Sequence, residues 1–118
     1  MGTDVSWMIE LSVNSGSEED LRALINDAVT ATRNEPRTLA YEWSLSPDGS
    51  ICHIYERYAD SAAVMEHLAA FRAKFADRFM KLVKPVRITM YGSPSQELKD
   101  ALAALNPLFM RPVAGFHR

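Results

Sequence analysis

A chain of 118 residues with 47% hydrophobic and 24% charged residues has the size and composition of one compact domain with a real core, which excludes a disordered chain and leaves little room for a second domain. A formal net charge of -2 and a pI near 5.9, with no cluster of Lys or Arg, exclude an electrostatic case for nucleic acid or an acidic membrane as partner. The single Cys52 allows no internal disulfide, and MGTDVSWMIEL at the start lacks the basic residues and long apolar run of a secretory signal. These two features lead to the expectation of a reducing cytoplasmic location, and charges interrupt every apolar run well short of the roughly 20 residues that cross a bilayer, so a soluble protein is expected.

From Val5 to Val13, Trp7, Ile9, Leu11 and Val13 alternate with Ser6, Met8, Glu10 and Ser12, the pattern of a strand with one better-buried face. Ser17 followed by Glu18, Glu19 and Asp20 predicts a capped helix start with negative charge at the positive end of the helix dipole. Leu21, Leu24, Ile25, Ala28 and Val29 form the apolar stripe of that helix, which should stop before Pro36.

The segment Leu39 to Tyr58, LAYEWSLSPDGSICHIYERY, reads as a β-hairpin turning at Ser46-Pro47-Asp48-Gly49. A three-residue loop, Pro47 to Gly49, sets Ser46 opposite Ser50 and pairs Leu45 with Ile51, Trp43 with His53 and Tyr41 with Tyr55. One face then carries Tyr41, Trp43, His53, Tyr55 and Arg57, and the other Ala40, Glu42, Ser44, Cys52, Ile54, Glu56 and Tyr58. A loop one residue longer would change the cross-strand partners without mixing the faces within either strand.

Asp60 or Ser61 opens a second helix with Val64, Leu68, Phe71, Phe75, Phe79 and Leu82 at helical spacing, bounded by Pro85. Val86, Ile88 and Met90 alternate with Arg87, Thr89 and Tyr91 in a further strand, closed by Gly92 and Pro94. Ser95 starts a short helix with Leu98, Ala101, Leu102 and Leu105, ended by Asn106-Pro107. The tail LFMRPVAGFHR is too apolar to be left in water and is expected to dock on the domain or on a neighbouring subunit. The order βαββαβ predicts an α+β, ferredoxin-like antiparallel sheet with two helices on one face. Residues 1–92 form that unit and residues 93–118 its C-terminal helix and apolar tail. The second sheet face needs a cover, and a homodimer packing sheet on sheet provides one.

Tyr41-Glu42-Trp43, Ser46-Pro47-Asp48-Gly49, the run His53 to Ser61 (HIYERYADS) and His67-Leu68 resemble the antibiotic biosynthesis monooxygenase (ABM) domain family over roughly residues 5 to 92. The resemblance implies a dimeric α+β barrel and, in catalytic members, cofactor-independent oxygenation of quinol-like or polycyclic aromatic substrates in a pocket between helices and sheet. A haem-degrading branch of the superfamily uses an Asn on the first strand with a Trp and a His on the second helix. Here Asn14 lies at the strand's end, the Asp60 to Val83 helix has no Trp, and His67 sits in its first half, so haem is not an expected ligand.

Oxygenation without a cofactor needs a substrate that supplies the electrons, a base to deprotonate it, a donor for the oxyanion and a dry aromatic pocket. His53 is the first candidate for base, beside Trp43 and Tyr55; the bland alternative is a histidine hydrogen-bonded in the sheet. Arg57 and Tyr55 are candidate oxyanion partners, although Arg57 beside Glu56 also suits an ion-pair network. Tyr41 and Trp43 would stack on a flat ligand or serve as core or interface aromatics. Glu42, on a hairpin strand, either pairs with a cation or orients a catalytic group. His67, one turn before Phe71, would face the pocket or lie at the surface, and Phe71 with it would bound a substrate or simply fill the core. The three His and one Cys show no metal-ligand spacing, and no glycine-rich phosphate loop is present. The expected function is a cofactor-free monooxygenase acting on a small aromatic or quinol-like molecule, with a ligand-binding or interaction module and an isomerase or cyclase on the same scaffold as alternatives.

Overall fold

The structure is a computed structural model and describes residues 3–118; residues 1 and 2, the start of the first expected segment, lie outside the described residues. In chain order the elements are β1 (Val5–Val13), α1 (Glu18–Thr32), β2 (Thr38–Leu45), β3 (Ile51–Tyr58), α2 (Ser61–Lys74), α3 (Ala76–Leu82), β4 (Val83–Gly92), α4 (Gln96–Leu102), a single 3₁₀ turn at Ala103–Leu105 and β5 (Leu108–Phe109). The sheet order is β2-β3-β1-β4-β5. Its first four strands pair antiparallel, which is the ferredoxin-like arrangement, and β5 adds a short parallel edge to β4.

The apolar alternation in β1 decides which face is covered. Val5, Trp7 and Leu11 are buried under the helices, as are Cys52, Ile54, Glu56 and Tyr58 of β3 and Ile88 and Met90 of β4. On α1, Leu21, Leu24 and Ala28 meet that face with no exposed surface, and removal of such side chains from water is the main stabilising term, about 1.5–3 kcal/mol for each large one. Leu98 and Leu102 of α4 belong to the same core cluster as Val5, Trp7 and Tyr58. The C-terminal helix is therefore built into the domain, and β5 brings Leu108 and Phe109 onto the sheet edge; contrary to the expected docking of the whole tail, Val113 and Phe116 stay 92% and 80% exposed.

Four expectations change in detail. Ser17 stands at the N-cap of α1 but makes no side-chain capping bond; the Leu21 N–H instead reaches the Ser17 carbonyl at 2.9 Å. The long second helix breaks at Phe75, whose backbone (φ -127°) leaves the helical region and divides α2 from α3. β4 starts at Val83 rather than Val86, and Pro85 lies inside it beside a bulge, where Leu11 pairs with Pro85 and Glu10 with Arg87; a bulge is where a strand tolerates a residue without an N–H.

The fourth correction bears on the site. The hairpin loop has four residues, because Ser46 pairs with Ile51 through a 2.9 Å backbone bond. The Asp48 carboxylate accepts from the Ser50 N–H (3.0 Å) and from the hydroxyls of Ser46 and Ser50, which lengthens the turn by one residue; these bonds hold the Asp48 pKa at about 2. Trp43 therefore pairs with Ile54 and Tyr41 with Glu56. Tyr41 and Trp43 share their face with Ile54, Glu56 and Tyr58, while His53, Tyr55 and Arg57 lie on the opposite face with Glu42 and Ser44.

Candidate functional site

Between the covered face of the sheet and the pair α2 and α3 lies a cavity of about 280 Å³. Its walls are aromatic and aliphatic: Trp7 and Ile9 from β1, Trp43 from β2, Phe71 from α2 and Phe79 from α3. The rings meet edge to face, Trp43 with Phe79 at 6.0 Å and Phe71 with Phe79 at 5.3 Å between centroids, geometries that suit the aromatic quadrupole. The break at Phe75 lets Phe71 and Phe79 reach the same space from two helices. At the mouth stand Arg72, Met80 and Leu105, all exposed.

Titratable groups gather at the buried end. Glu56 and His67 are each 3% exposed, and the His67 Nε2 lies 3.5 Å from the Glu56 carboxylate. On its other side the His67 Nδ1–H donates to Glu35 at 3.0 Å, and Glu35, about a quarter exposed, also accepts from the Thr38 hydroxyl at 2.9 Å. The Tyr58 hydroxyl donates to Glu56. Glu35, His67 and Glu56 thus form a string from solvent to the cavity. They do not converge on a point, and no group of three potential ligands able to hold a metal ion occurs among the described residues.

Burial drives the electrostatics. It pushes the Glu56 pKa above the ordinary carboxylate value, a shift partly offset by the neighbouring His67 and the Tyr58 hydrogen bond. The Tyr41 hydroxyl, at the same end of the cavity, is pushed well above the usual phenol value by burial first and by Glu56 second. It therefore stays a neutral donor. The Trp7 and Trp43 indole N–H groups are buried without a hydrogen-bond partner among the described residues. Burial also lifts the Cys52 thiol to about 11, which leaves it an inert core group.

Of the residues singled out in the sequence, Tyr41, Trp43, His67 and Phe71 come together around this cavity. His53, Tyr55 and Arg57 do not. His53 is exposed on the far face with Glu10 at 3.8 Å, and Arg57 binds Asp4 at 3.1 Å and contacts His117 of the tail; the Arg57 hydrogen bond is the first cause of a lowered Asp4 pKa. Glu42 lies on β2, an edge strand rather than a central one, and is exposed without an ion pair among the described residues. Sequence reasoning missed Glu56, Tyr58 and Glu35 as site residues. The available signal was a carboxylate in the otherwise apolar alternation Cys52, Ile54, Glu56, Tyr58. A second hollow, of about 520 Å³, lies between the tail and the ends of β1 and β4, but none of its titratable lining groups is buried.

A family model described as antibiotic biosynthesis monooxygenase matches residues 5–72, more than half of the chain. The chain belongs to the antibiotic biosynthesis monooxygenase family. Among solved structures, MupZ from Pseudomonas fluorescens superposes with a TM-score of 0.89 at 24% identity, covering 100% of this chain and 91% of that one. A protein from Shewanella oneidensis gives 0.67 at 24% identity over 77% of this chain and 91% of its own. A protein from Mycobacterium tuberculosis gives 0.62 at 25% identity over 79% and 97%. No curated protein matches the sequence. This family member thus carries the ferredoxin-like α+β fold of those structures, and no helix in its described residues is long and apolar enough to cross a membrane.

Proposed function

We propose that this chain is a cofactor-independent monooxygenase of small, flat, phenol-like or quinol-like molecules. The observation that carries the reading is the Glu56–His67 pair at the closed end of an aromatic cavity. Glu56, with its pKa raised by burial, is the base in place of His53: a carboxylate moved toward neutrality is better matched to take a weakly acidic proton. His67 balances the charge and passes the proton to Glu35 and solvent. The Tyr41 hydroxyl is the donor for the substrate oxyanion, and Trp43, Phe71 and Phe79 hold the ring and exclude water. The electron-rich anion then reacts with dioxygen at a ring carbon, which as the CH₂ of the substrate's keto form becomes C=O, one oxygen atom entering the product and the other leaving as water.

Glu56 accepts from the Tyr58 hydroxyl and lies 3.5 Å from the His67 Nε2. The same set can give a proton back as easily as take one, which favours an isomerase or cyclase as the second reading. The partner of the first reading is a second copy of the chain, packed on the uncovered sheet face where Ile51 and Tyr91 are more than two-fifths exposed. A single buried cysteine accords with a cytoplasmic site of action.

Oxygen uptake against a panel of hydroquinones, naphthols and anthrones, with product analysis in air and under nitrogen, tests the proposal. Uptake above the spontaneous rate supports the oxygenase. Substrate turnover that proceeds equally under nitrogen replaces it with the isomerase.

A further inference from the structure

The cavity has a polar feature at each end. Glu56, His67 and Tyr41 sit at the buried end, and Arg72 stands at the mouth as the one Lys or Arg among the lining residues. Arg72 makes no side-chain hydrogen bond or ion pair among the described residues, as is true of Arg33, Arg87, Arg111 and Arg118, whereas Arg22, Arg37, Arg57 and Arg78 each hold a carboxylate; Arg72 alone of the unpaired ones lines the cavity. Its position in the last turn of α2 complements the helix dipole. Lys74 does the same in that turn without lining the cavity, so the dipole alone does not account for where Arg72 points.

Leu68, Phe71 and Arg72 are spaced three and four residues apart, so α2 presents them on one face. His67 precedes Arg72 by five residues, which places the two about 7.5 Å apart along the helix axis at 1.5 Å per residue. That span is filled by the rings of Phe71 and Phe79 and by Trp43 on the facing strand. From these observations we infer that the ligand is an acid: a flat, largely apolar ring system of this length whose carboxylate is held at the mouth by the Arg72 guanidinium. Its opposite end then reaches Glu56 and His67. The guanidinium is matched to that task, since it presents paired N–H donors to a carboxylate and is weakly hydrated. The inference rests on the cavity being the substrate site and adds the chemical class of its occupant.

The experiment compares 2-naphthoate with 2-naphthamide, a shape-matched neutral probe, by calorimetric titration of the wild-type protein, Arg72→Gln and Arg72→Lys. For the wild type the acid is expected to bind about tenfold tighter than the amide, the order of one charge-assisted hydrogen bond at a half-open site. Arg72→Gln should remove that preference and leave amide binding unchanged, and Arg72→Lys should restore part of it. Salt should weaken the acid but not the amide. Equal binding of the two probes by the wild type, or an equal loss of both in Arg72→Gln, overturns the acidic ligand while leaving the cavity as the site. Binding of neither probe overturns the cavity reading and this inference with it.

Discussion

Glu56 on β3 and His67 on α2 face each other at 3.5 Å in the least accessible part of the cavity, and each is the other's counterpart for charge. Burial raises the pKa of this carboxyl, and the neighbouring His67 moderates the rise. Replacement of His67 by Phe leaves the carboxylate stranded, and breaking a buried pair in this way costs about 3–5 kcal/mol.

The loss depends on pH with a definite sign. The folded-state pKa of Glu56 lies above the ordinary value of 4.5. Below that value the group is protonated in both the folded and unfolded states and contributes no penalty. As pH rises past it, the unfolded chain releases its proton while the folded chain keeps it, and stability falls until the raised folded value is passed. Thermal unfolding of His67→Phe should therefore show a deficit relative to the wild type that grows only above the wild-type folded value of Glu56, where the wild type ionises beside His67 and the variant still holds its proton. Glu56→Gln should remove that slope, and a deficit of equal size at all pH values would disprove the pairing.

Glu35 connects His67 to solvent across a separation of 32 residues. Glu35→Gln keeps the shape and one acceptor for the Thr38 hydroxyl but removes the proton acceptor at the end of the string. Steady-state kinetics should show kcat reduced, by less than the roughly 10²–10⁴-fold of a directly acting acid or base, with KM unchanged. A rise in KM at constant kcat would assign Glu35 to binding instead.

Gly49 has φ +75°, and a Cβ there would lie 1.9 Å from the Glu18 Oε1. The Glu18 side chain can swing aside, but the left-handed backbone cannot be relieved, and an L-residue in it costs about 1–2 kcal/mol. Gly49→Ala should lower Tm by several degrees, about 4–8 °C for each kcal/mol in a domain of this size. Differential scanning calorimetry checks this, with Gly49→Asn expected to lose less because Asn tolerates the left-handed region.

The uncovered sheet face carries Met8, Tyr55 and Tyr91 among polar neighbours. If a second copy covers it, sedimentation at micromolar concentration gives a dimer, and Tyr55→Asp shifts the distribution toward monomer by burying a charge at the contact. A wild-type monomer at that concentration would refute the proposed partner.

Periodicity made most of the fold legible. The alternation in Val5–Val13, the stripe on α1 and the two hairpin strands each follow from where the apolar side chains fall. The assignment failed where a side chain rather than the pattern decided the geometry. The Asp48 carboxylate lengthened the hairpin loop by one residue, and that single step moved Tyr41 and Trp43 away from His53 and onto the face of Glu56. Because side chains alternate with a period of two, one residue of slip reassigns every cross-strand neighbour. His67 and Phe71 were legible from helical spacing, though not that His67 would be buried. Glu35 lies between α1 and β2 and reaches His67 only through tertiary packing, so no local pattern marks it. The helix break at Phe75 likewise has no Gly or Pro to announce it.

The central claim is that the chemistry belongs to the cavity and not to the far face of the sheet. It is tested most directly by measuring oxygen uptake with the best substrate of the hydroquinone, naphthol and anthrone panel for Glu56→Gln and His53→Ala side by side, each checked for intact folding. Loss of the base should lower the rate of Glu56→Gln by about 10²–10⁴-fold and leave His53→Ala near wild type. The reverse pattern, activity lost in His53→Ala and kept in Glu56→Gln, would contradict the account.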